Sequence, residues 1–250
     1  DEAFVATLTL NRPKQYNALS QAMLASLQTA LDTVATDRAV RVVVIAGNGA
    51  VFCVGHDLKE MRAHSDLAFH RALFTQCERV MLTINRLPQP VIARVHGIAT
   101  AAGCQLVATC DLAVATEDAR FATSGINVGL FCSTPGVALS RNLSRKYALE
   151  LLLTGDFMDA PTALQRGLLN RVVPPEQLDA AVWQLANMIS NKPPLAIATG
   201  KELFYRQLEM VLEDAYARAS EIMACSMNSA DAREGIDAFI AKRKPELQGR

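Results

Sequence analysis

The sequence has no net charge: 25 Lys and Arg balance 25 Asp and Glu. Nothing in that balance points to nucleic acid or to a membrane surface. No apolar run reaches the roughly 20 residues of a membrane-spanning helix. No two of the 6 cysteines have Cys-x-x-Cys spacing; they stand at 53, 77, 104, 110, 132 and 225, mostly among apolar neighbours. A zinc site is therefore not expected. The cysteines read as reduced core thiols in a reducing compartment, cytoplasm or mitochondrial matrix. The chain opens directly in a strand pattern, so no signal or transit peptide is expected within it. No repeat is visible at the level of residues.

What is present is a sizeable core. Half of the 250 residues are hydrophobic, and this length makes one large domain or one domain with an appendage. Strand patterns at Phe4 to Leu10, Val40 to Ala46, Val91 to Val95, Asp111 to Ala115 and Arg120 to Ala122 alternate with helical ones. Ser20, Asp57 and Asp66 stand where helix N-caps belong. Alternation of this kind predicts an α/β fold with stacked ββα turns. After Pro161 the pattern is almost entirely helical, with Pro174-Pro175 and Pro193-Pro194 near helix starts. The division expected is an α/β core over 1–190 and a helical region over 191–250.

Two stretches carry the chemistry. In the first, Val42 to Ile45 leads through Val51-Phe52-Cys53-Val54-Gly55-His56 to a helix opening at Asp57. In the second, Val91 to Val95 ends at His96-Gly97, small residues run from Ala99 to Gly103, and a helix starts near Ala102. Small side chains at such turns let a ligand approach the backbone, where free N–H groups attract negative oxygen. Taken alone, small residues can equally serve tight helix-on-strand packing. Two such turns converging on one carbonyl oxygen would have the geometry of an oxyanion hole.

The pair resembles the crotonase (enoyl-CoA hydratase/isomerase) superfamily. Gly55-His56-Asp57-Leu58-Lys59-Glu60-Met61 is similar to its first signature, and Ala101-Ala102-Gly103-Cys104-Gln105-Leu106 to its second. The resemblance runs from Leu10-Asn11-Arg12-Pro13-Lys14 through Leu153-Thr154-Gly155-Asp156 to Lys242-Arg243-Lys244-Pro245. Within the superfamily, Gly129 to Gly136 and the Ala-Thr-Ala-Ala-Gly-Cys-Gln-Leu segment are shared with one subgroup. The resemblance implies a crotonase-like spiral with a C-terminal α-helical trimerisation region, hence a homotrimer or hexamer. It implies an acyl-CoA ligand with no other cofactor and no metal. It places enolate-oxygen donors at the backbone N–H groups of His56 and Ala102, each worth roughly 3 kcal/mol of barrier. Ala102 suits that role if its φ is negative. The His56 imidazole reads as a partly exposed side chain carrying no catalytic proton. The thioester's CoA would pass Lys14, Asn17, Ala18 and Leu19, with Asp57, Leu58 and Lys59 near the adenine. Lys242, Arg243 and Lys244 either reach phosphates from a neighbouring subunit or form a solvated tail. Asp57 also reads as a cap, and Glu60 as facing outward.

The chain departs from the family at its acid and base. The two hydratase glutamates fall on Gln105 and Gly125. A glutamine orients water but neither takes nor gives a proton at neutral pH, and glycine does neither. Two-glutamate hydration is therefore not expected. Cys132 and Ser133 stand where the family varies its catalytic groups, with Phe131 suggesting that Cys132 is buried. Methylmalonyl-CoA decarboxylase has a similar Gly-His-Asp turn and Asn-x-Gly segment (Asn127-Val128-Gly129 here), but its tyrosine falls on Cys132. Dihydroxynaphthoyl-CoA synthase has glycine at the Gly125 position. The expectation is an acyl-CoA enzyme of hydratase/isomerase type. A decarboxylase-like enzyme and a non-catalytic acyl-CoA-binding protein remain as alternatives.

Overall fold

A computed structural model describes residues 4–247 and 249; the outermost residues of both expected regions lie outside them. Strand β1 (Val5–Leu10) leads to α1 (Gln21–Thr36), then β2 (Val42–Gly47), α2 (Leu58–Ala63), α3 (Leu67–Arg86), β3 (Val91–Val95), β4 (Ile98–Thr100) and α4 (Ala102–Thr109). Next come β5 (Leu112–Thr116), β6 (Arg120–Ala122), α5 (Ser133–Asn142), α6 (Arg145–Thr154), β7 (Met158–Asp159), α7 (Ala160–Gln165) and β8 (Arg171–Val173). Four helices finish the chain: α8 (Leu178–Ser190), α9 (Pro194–Gln207), α10 (Leu212–Ser226) and α11 (Ala230–Ile240). All three expected caps form: the side chains of Ser20, Asp57 and Asp66 accept N–H bonds in the first turns of α1, α2 and α3.

The main sheet has order β1-β2-β3-β5-β8, parallel throughout. Both of its faces are covered, which is why Val42-Val43-Val44-Ile45 is continuously apolar rather than alternating. Val43 and Ile45 face the main core; Val42 and Val44 face Leu178, Val182 and Ala186 of α8. A second sheet, β4-β6-β7, lies beyond the ends of β3 and β5. Each of those strands passes through a turn into this second sheet, giving the expected stacked ββα arrangement. At one such corner Gly97 has φ 62°, and a Cβ there would lie 2.5 Å from the Ala50 carbonyl oxygen.

Three expectations need correction. The stretch after Pro161 is not purely helical: β8 pairs with β5, and its three residues are too short to show an alternating pattern. Helices α5 and α6 fill residues 133–154, for which no helix was expected. Cys225 is exposed, whereas the other five cysteines are buried as expected.

Helix α9 is tied to the core by a buried polar cluster. Lys201 Nζ on α9, with a side chain 7% exposed, donates to the Ile84 and Gln89 carbonyls at 2.9 and 3.0 Å. It also pairs with Asp111 Oδ2 at 2.6 Å. Asp111 accepts in addition from Tyr205 Oη at 2.7 Å and from the Val91 N–H at 2.6 Å. Removing one partner strands a buried charge, at a cost of about 3–5 kcal/mol. Lys201→Met is therefore expected to lower the urea-unfolding free energy by that amount. Adding Asp111→Asn is expected to recover part of the loss, and strict additivity of the two effects would contradict the coupling.

Candidate active site

The two turns singled out by sequence lie side by side. The N–H groups of Phe52 and Cys53 both donate to the Ile98 carbonyl at 3.1 Å, and the Thr100 N–H donates back to the Cys53 carbonyl at 3.0 Å. These bonds set the turn at Gly55 against the turn at Ala101. A Cβ on Gly55 would lie 2.9 Å from the Ala101 Cβ and 3.0 Å from the Ala102 nitrogen, and Gly55 also has φ 88°. Behind the contact, a Cβ on Gly103 would overlap the Cys53 carbonyl. Next to Gly55, the His56 N–H has no hydrogen-bond partner among the described residues. The Ala102 N–H, first in α4, has none either.

The strain of the second turn sits one residue before the expected donor. Ala102 has negative φ and starts the helix; Ala101 has φ 52° and ψ −121°, a region that L-residues avoid. Its N–H donates to the Ala122 carbonyl at 2.9 Å and its carbonyl accepts from the Gln105 N–H at 3.0 Å, so neighbours on both sides hold it there. The segment after β6 closes the third side, where the Thr100 and Ser124 hydroxyls share a 2.6 Å hydrogen bond.

The two positions where the resemblance places the family's glutamates, Gln105 and Gly125, differ in their surroundings. Gln105 is 5% exposed and its side-chain oxygen is buried without a partner. Gly125 is walled in: a Cβ there would lie 2.6 Å from the Leu130 carbonyl oxygen and 2.8 Å from Cys132 Sγ. The loop is drawn back by the Leu130 N–H, which donates to the Gly125 carbonyl at 2.9 Å. Cys132 is buried as expected, although Phe131 beside it is exposed. Burial pushes the Cys132 thiol up, against the Gly125 N–H that favours thiolate. Ser133 is exposed, its Oγ turned to the Phe131 carbonyl at 3.3 Å.

At the entrance, residues expected along the CoA path divide into two groups. Lys14, Leu58 and Lys59 are exposed; Asn17, Ala18 and Leu19 are buried. Asn17, at φ 55°, is a staple: its Nδ2 donates to the Asn48, Val51 and Phe52 carbonyls and its Oδ1 accepts from the Arg12 N–H. The Arg12 guanidinium, to which sequence reading gave no role, donates to the Ala18 carbonyl at 2.8 Å and to Asp57 Oδ2 at 3.1 Å. Burial raises the Asp57 carboxyl, but the Glu60 and Lys59 N–H groups and Arg12 outweigh it and hold it below its ordinary range. Glu60 does not face outward: its Oε2 accepts from the Gln21 N–H at 3.0 Å and ties α2 to α1. Arg243 is taken up by both oxygens of Glu234. The basic tail is thus neither wholly solvated nor wholly available to phosphate.

The His56 ring is half-buried, but both its nitrogens are shielded from water and have no hydrogen-bond partner. It meets Phe74 edge to face, centroids 5.2 Å apart. Burial pushes its pKa down, opposed by the nearby Leu19 carbonyl, which lies outside hydrogen-bonding geometry.

An enoyl-CoA hydratase/isomerase family profile matches residues 1–250. The chain belongs to the enoyl-CoA hydratase/isomerase family. Its sequence is 47% identical over 241 residues to mouse (Mus musculus) enoyl-CoA hydratase domain-containing protein 3, mitochondrial, covering 96% of this chain and 80% of that protein. The crystal structure of enoyl-CoA hydratase from Mycobacterium smegmatis superposes with TM-score 0.97 at 61% identity, over 99% of this chain and 96% of that one. The human domain-containing protein 3 structure gives 0.95 at 45% identity, over 98% and 97%. That subgroup is the one the Gly129 to Gly136 run resembles.

Within this family member, two properties of the site are open to measurement. Ala101→Gly relieves the positive φ at the cost of a freer unfolded chain; a net gain of about 1 kcal/mol in unfolding free energy is expected. For His56 the folded pKa lies below the ordinary value of 6.5. Between the two pKa values the unfolded chain binds a proton that the folded chain refuses, so stability falls as pH drops through 6.5. The slope of unfolding free energy between pH 7.5 and 5.5 is expected to be shallower in His56→Gln.

Proposed function

We propose that this chain binds a CoA thioester with its carbonyl oxygen between the N–H groups of His56 and Ala102 and stabilises the enolate that forms there. The supporting observation is the contact at Gly55, which brings two unpartnered N–H groups together on turns fixed from three sides. Rigid donors of this kind need no reorganisation as charge develops, and each is worth roughly 3 kcal/mol. Lys14, Leu58 and Lys59 form the rim over which CoA enters. Asn17, Ala18 and Leu19 offer backbone only, their side chains being buried. The thioester is the only reactive group this reading requires; no resident cofactor or metal is needed.

The acid–base side of the reaction differs from two-glutamate hydration. Gln105 holds its amide oxygen ready to orient water or substrate, without a proton to give. Gly125 leaves no room for a carboxylate. Cys132 is a thiol rather than a thiolate, and Ser133 has no base beside it. The reaction best served is one in which the enolate forms by loss of CO2, its electron pair coming from the broken C–C bond rather than from a C–H bond, as in decarboxylase-like acyl-CoA chemistry. The filled space at Gly125 also favours a second reading, a non-catalytic acyl-CoA-binding protein, because a packed loop stands where hydratases carry their second glutamate.

Phe239 is 84% exposed and Ile240, Tyr216, Leu212 and Val211 are also uncovered on α10, α11 and the turn before them. Apolar area of that extent supports assembly as a homotrimer or hexamer. No helix among the described residues is long and apolar enough to cross a membrane. Residence in the cytoplasm or the mitochondrial matrix fits buried reduced thiols and the mitochondrial relatives.

Hydration of crotonyl-CoA, followed as loss of enoyl absorbance, tests the proposal. Wild-type turnover is expected to lie at least about 100-fold below a two-glutamate hydratase assayed alongside, the smallest effect normally seen for general acid–base groups. Gly125→Glu is expected to unfold the 130–132 loop or the protein rather than to restore hydration. Substantial wild-type turnover would overturn the acid–base reading and direct attention to Ser133 and Cys132. Failure of any acyl-CoA to bind in calorimetry would overturn the site itself.

A further inference from the structure

The sheet face under α8 is apolar where the helix covers it and polar toward the strand ends. Val42, Val44, Ile92 and Val114 pack with α8. Further along the same face the register sets Thr9, Ala46 and Arg94 side by side, and Thr116 ends β5. The small neighbours of Arg94 leave a groove over this end of the sheet. One part, of about 300 Å³, reaches from Thr7 and Thr9 to Val182 and Trp183 of α8. The other, of about 420 Å³, passes His96 and Thr116 to Asp118. Arg94 and Asn48 line both parts, and no residue of the turns at Gly55 and Ala101 lines either.

Four groups along this groove are unmet. Asp179 takes only Nε of Arg94, so both Nη groups have no hydrogen-bond partner among the described residues. The Asp118 carboxylate is exposed and has no ion pair or hydrogen bond among them. His96 donates from Nε2 to the Gly49 carbonyl at 2.8 Å, since a carbonyl only accepts, and its Nδ1 is buried without a partner. Thr116 is 2% exposed, and its Oγ1 is likewise buried and unpartnered. Native structures keep few such groups. His56 and Gln105 also hold unpartnered buried atoms, but those belong to the candidate active site.

We infer that this groove is a binding site for a zwitterionic α-amino acid with an apolar side chain. The carboxylate accepts from the two Nη groups of Arg94, whose planar fork matches two carboxylate oxygens. The ammonium, with three N–H donors, goes to Asp118, on a wall where His96 Nδ1 and Thr116 Oγ1 add unmet lone pairs. The side chain lies toward Val182 and Trp183. The first turn of α8, which carries Asp179, adds partial positive charge beside Arg94. A plain anion would face Asp118 and Asp179, and a plain cation would leave the Arg94 fork unused. No three His, Cys, Asp or Glu side chains come together among the described residues, so these acceptors do not make a metal site. The inference is independent of where a thioester binds.

Trp183 is the single tryptophan of the sequence, so its fluorescence reports on this groove alone. Titration of the intact protein with L-leucine, followed by that fluorescence and by calorimetry, is expected to saturate with a midpoint below about 10 mM. N-acetyl-leucine lacks the ammonium and 3-methylbutylamine lacks the carboxylate. Each is expected to bind at least about tenfold more weakly, the yield of one hydrogen bond to a charged group. Asp118→Asn and Arg94→Gln are expected to weaken leucine binding to a similar degree. Asp118 is exposed and the partner of Arg94 is 69% exposed, so both variants are expected to fold, which thermal melts verify. Asp118→Asn decides if Arg94→Gln is not folded. Absence of saturation by both readouts, an analogue binding as tightly as leucine, or unchanged affinity in a folded variant overturns the site.

Discussion

The site depends on how closely two stretches of backbone approach at Gly55. A single methyl group there would press on the Ala102 nitrogen and the Ala101 Cβ at once. Gly103 does the same for the floor of the contact, against Cys53. The rest of the local structure can be understood as what holds this approach. The bonds from Phe52, Cys53 and Thr100 join the two turns; Asn17 closes the loop beneath the first; Arg12 and Asp57 lock its exit; and the Ala122 carbonyl pins the strained Ala101. Strain of this kind persists only where neighbours over-determine the conformation. The parallel sheet supplies that rigidity, being buried on both faces.

The fold was legible because its signals are local and repeated. An unbroken Val42 to Ile45 run, capping residues at Ser20, Asp57 and Asp66, and two Gly-bearing turns each identify an element without reference to the rest. β8 was not legible, since three residues between loops carry no period. The candidate donors at His56 and Ala102 were found through turn composition and family resemblance together. Packing relations were out of reach. That Asn17 spends its amide on three carbonyls, that Glu60 turns inward to Gln21, or that Arg12 bridges to Asp57 across 45 residues leaves no trace in spacing. The strain at Ala101 stands one residue before the donor whose φ was expected to matter, and spacing gives no sign of it.

The two missing glutamates, equivalent on paper, differ physically. At 105 the change is confined to a side chain: glutamine occupies the same buried volume and leaves its oxygen without a partner. At 125 the backbone itself has been reused, with the Leu130 carbonyl and the Cys132 thiol standing where a side chain would begin. Exchange at the first position alters chemistry and little else. Exchange at the second requires a loop to be rebuilt, and the hydrogen bond from Leu130 to Gly125 would be lost with it. The loop from Gly125 to Cys132 thus commits the site against a second carboxylate, and the polar capacity that remains lies in groups that orient rather than titrate near neutrality. Those groups, the Gln105 amide oxygen and the His56 ring nitrogens, are buried and unpartnered. A site that keeps two such costs while discarding its proton carriers is built to hold a polar ligand in one orientation. In the proposed function, the rate of any reaction there is set by what the backbone donors do for an enolate rather than by proton transfer from the walls.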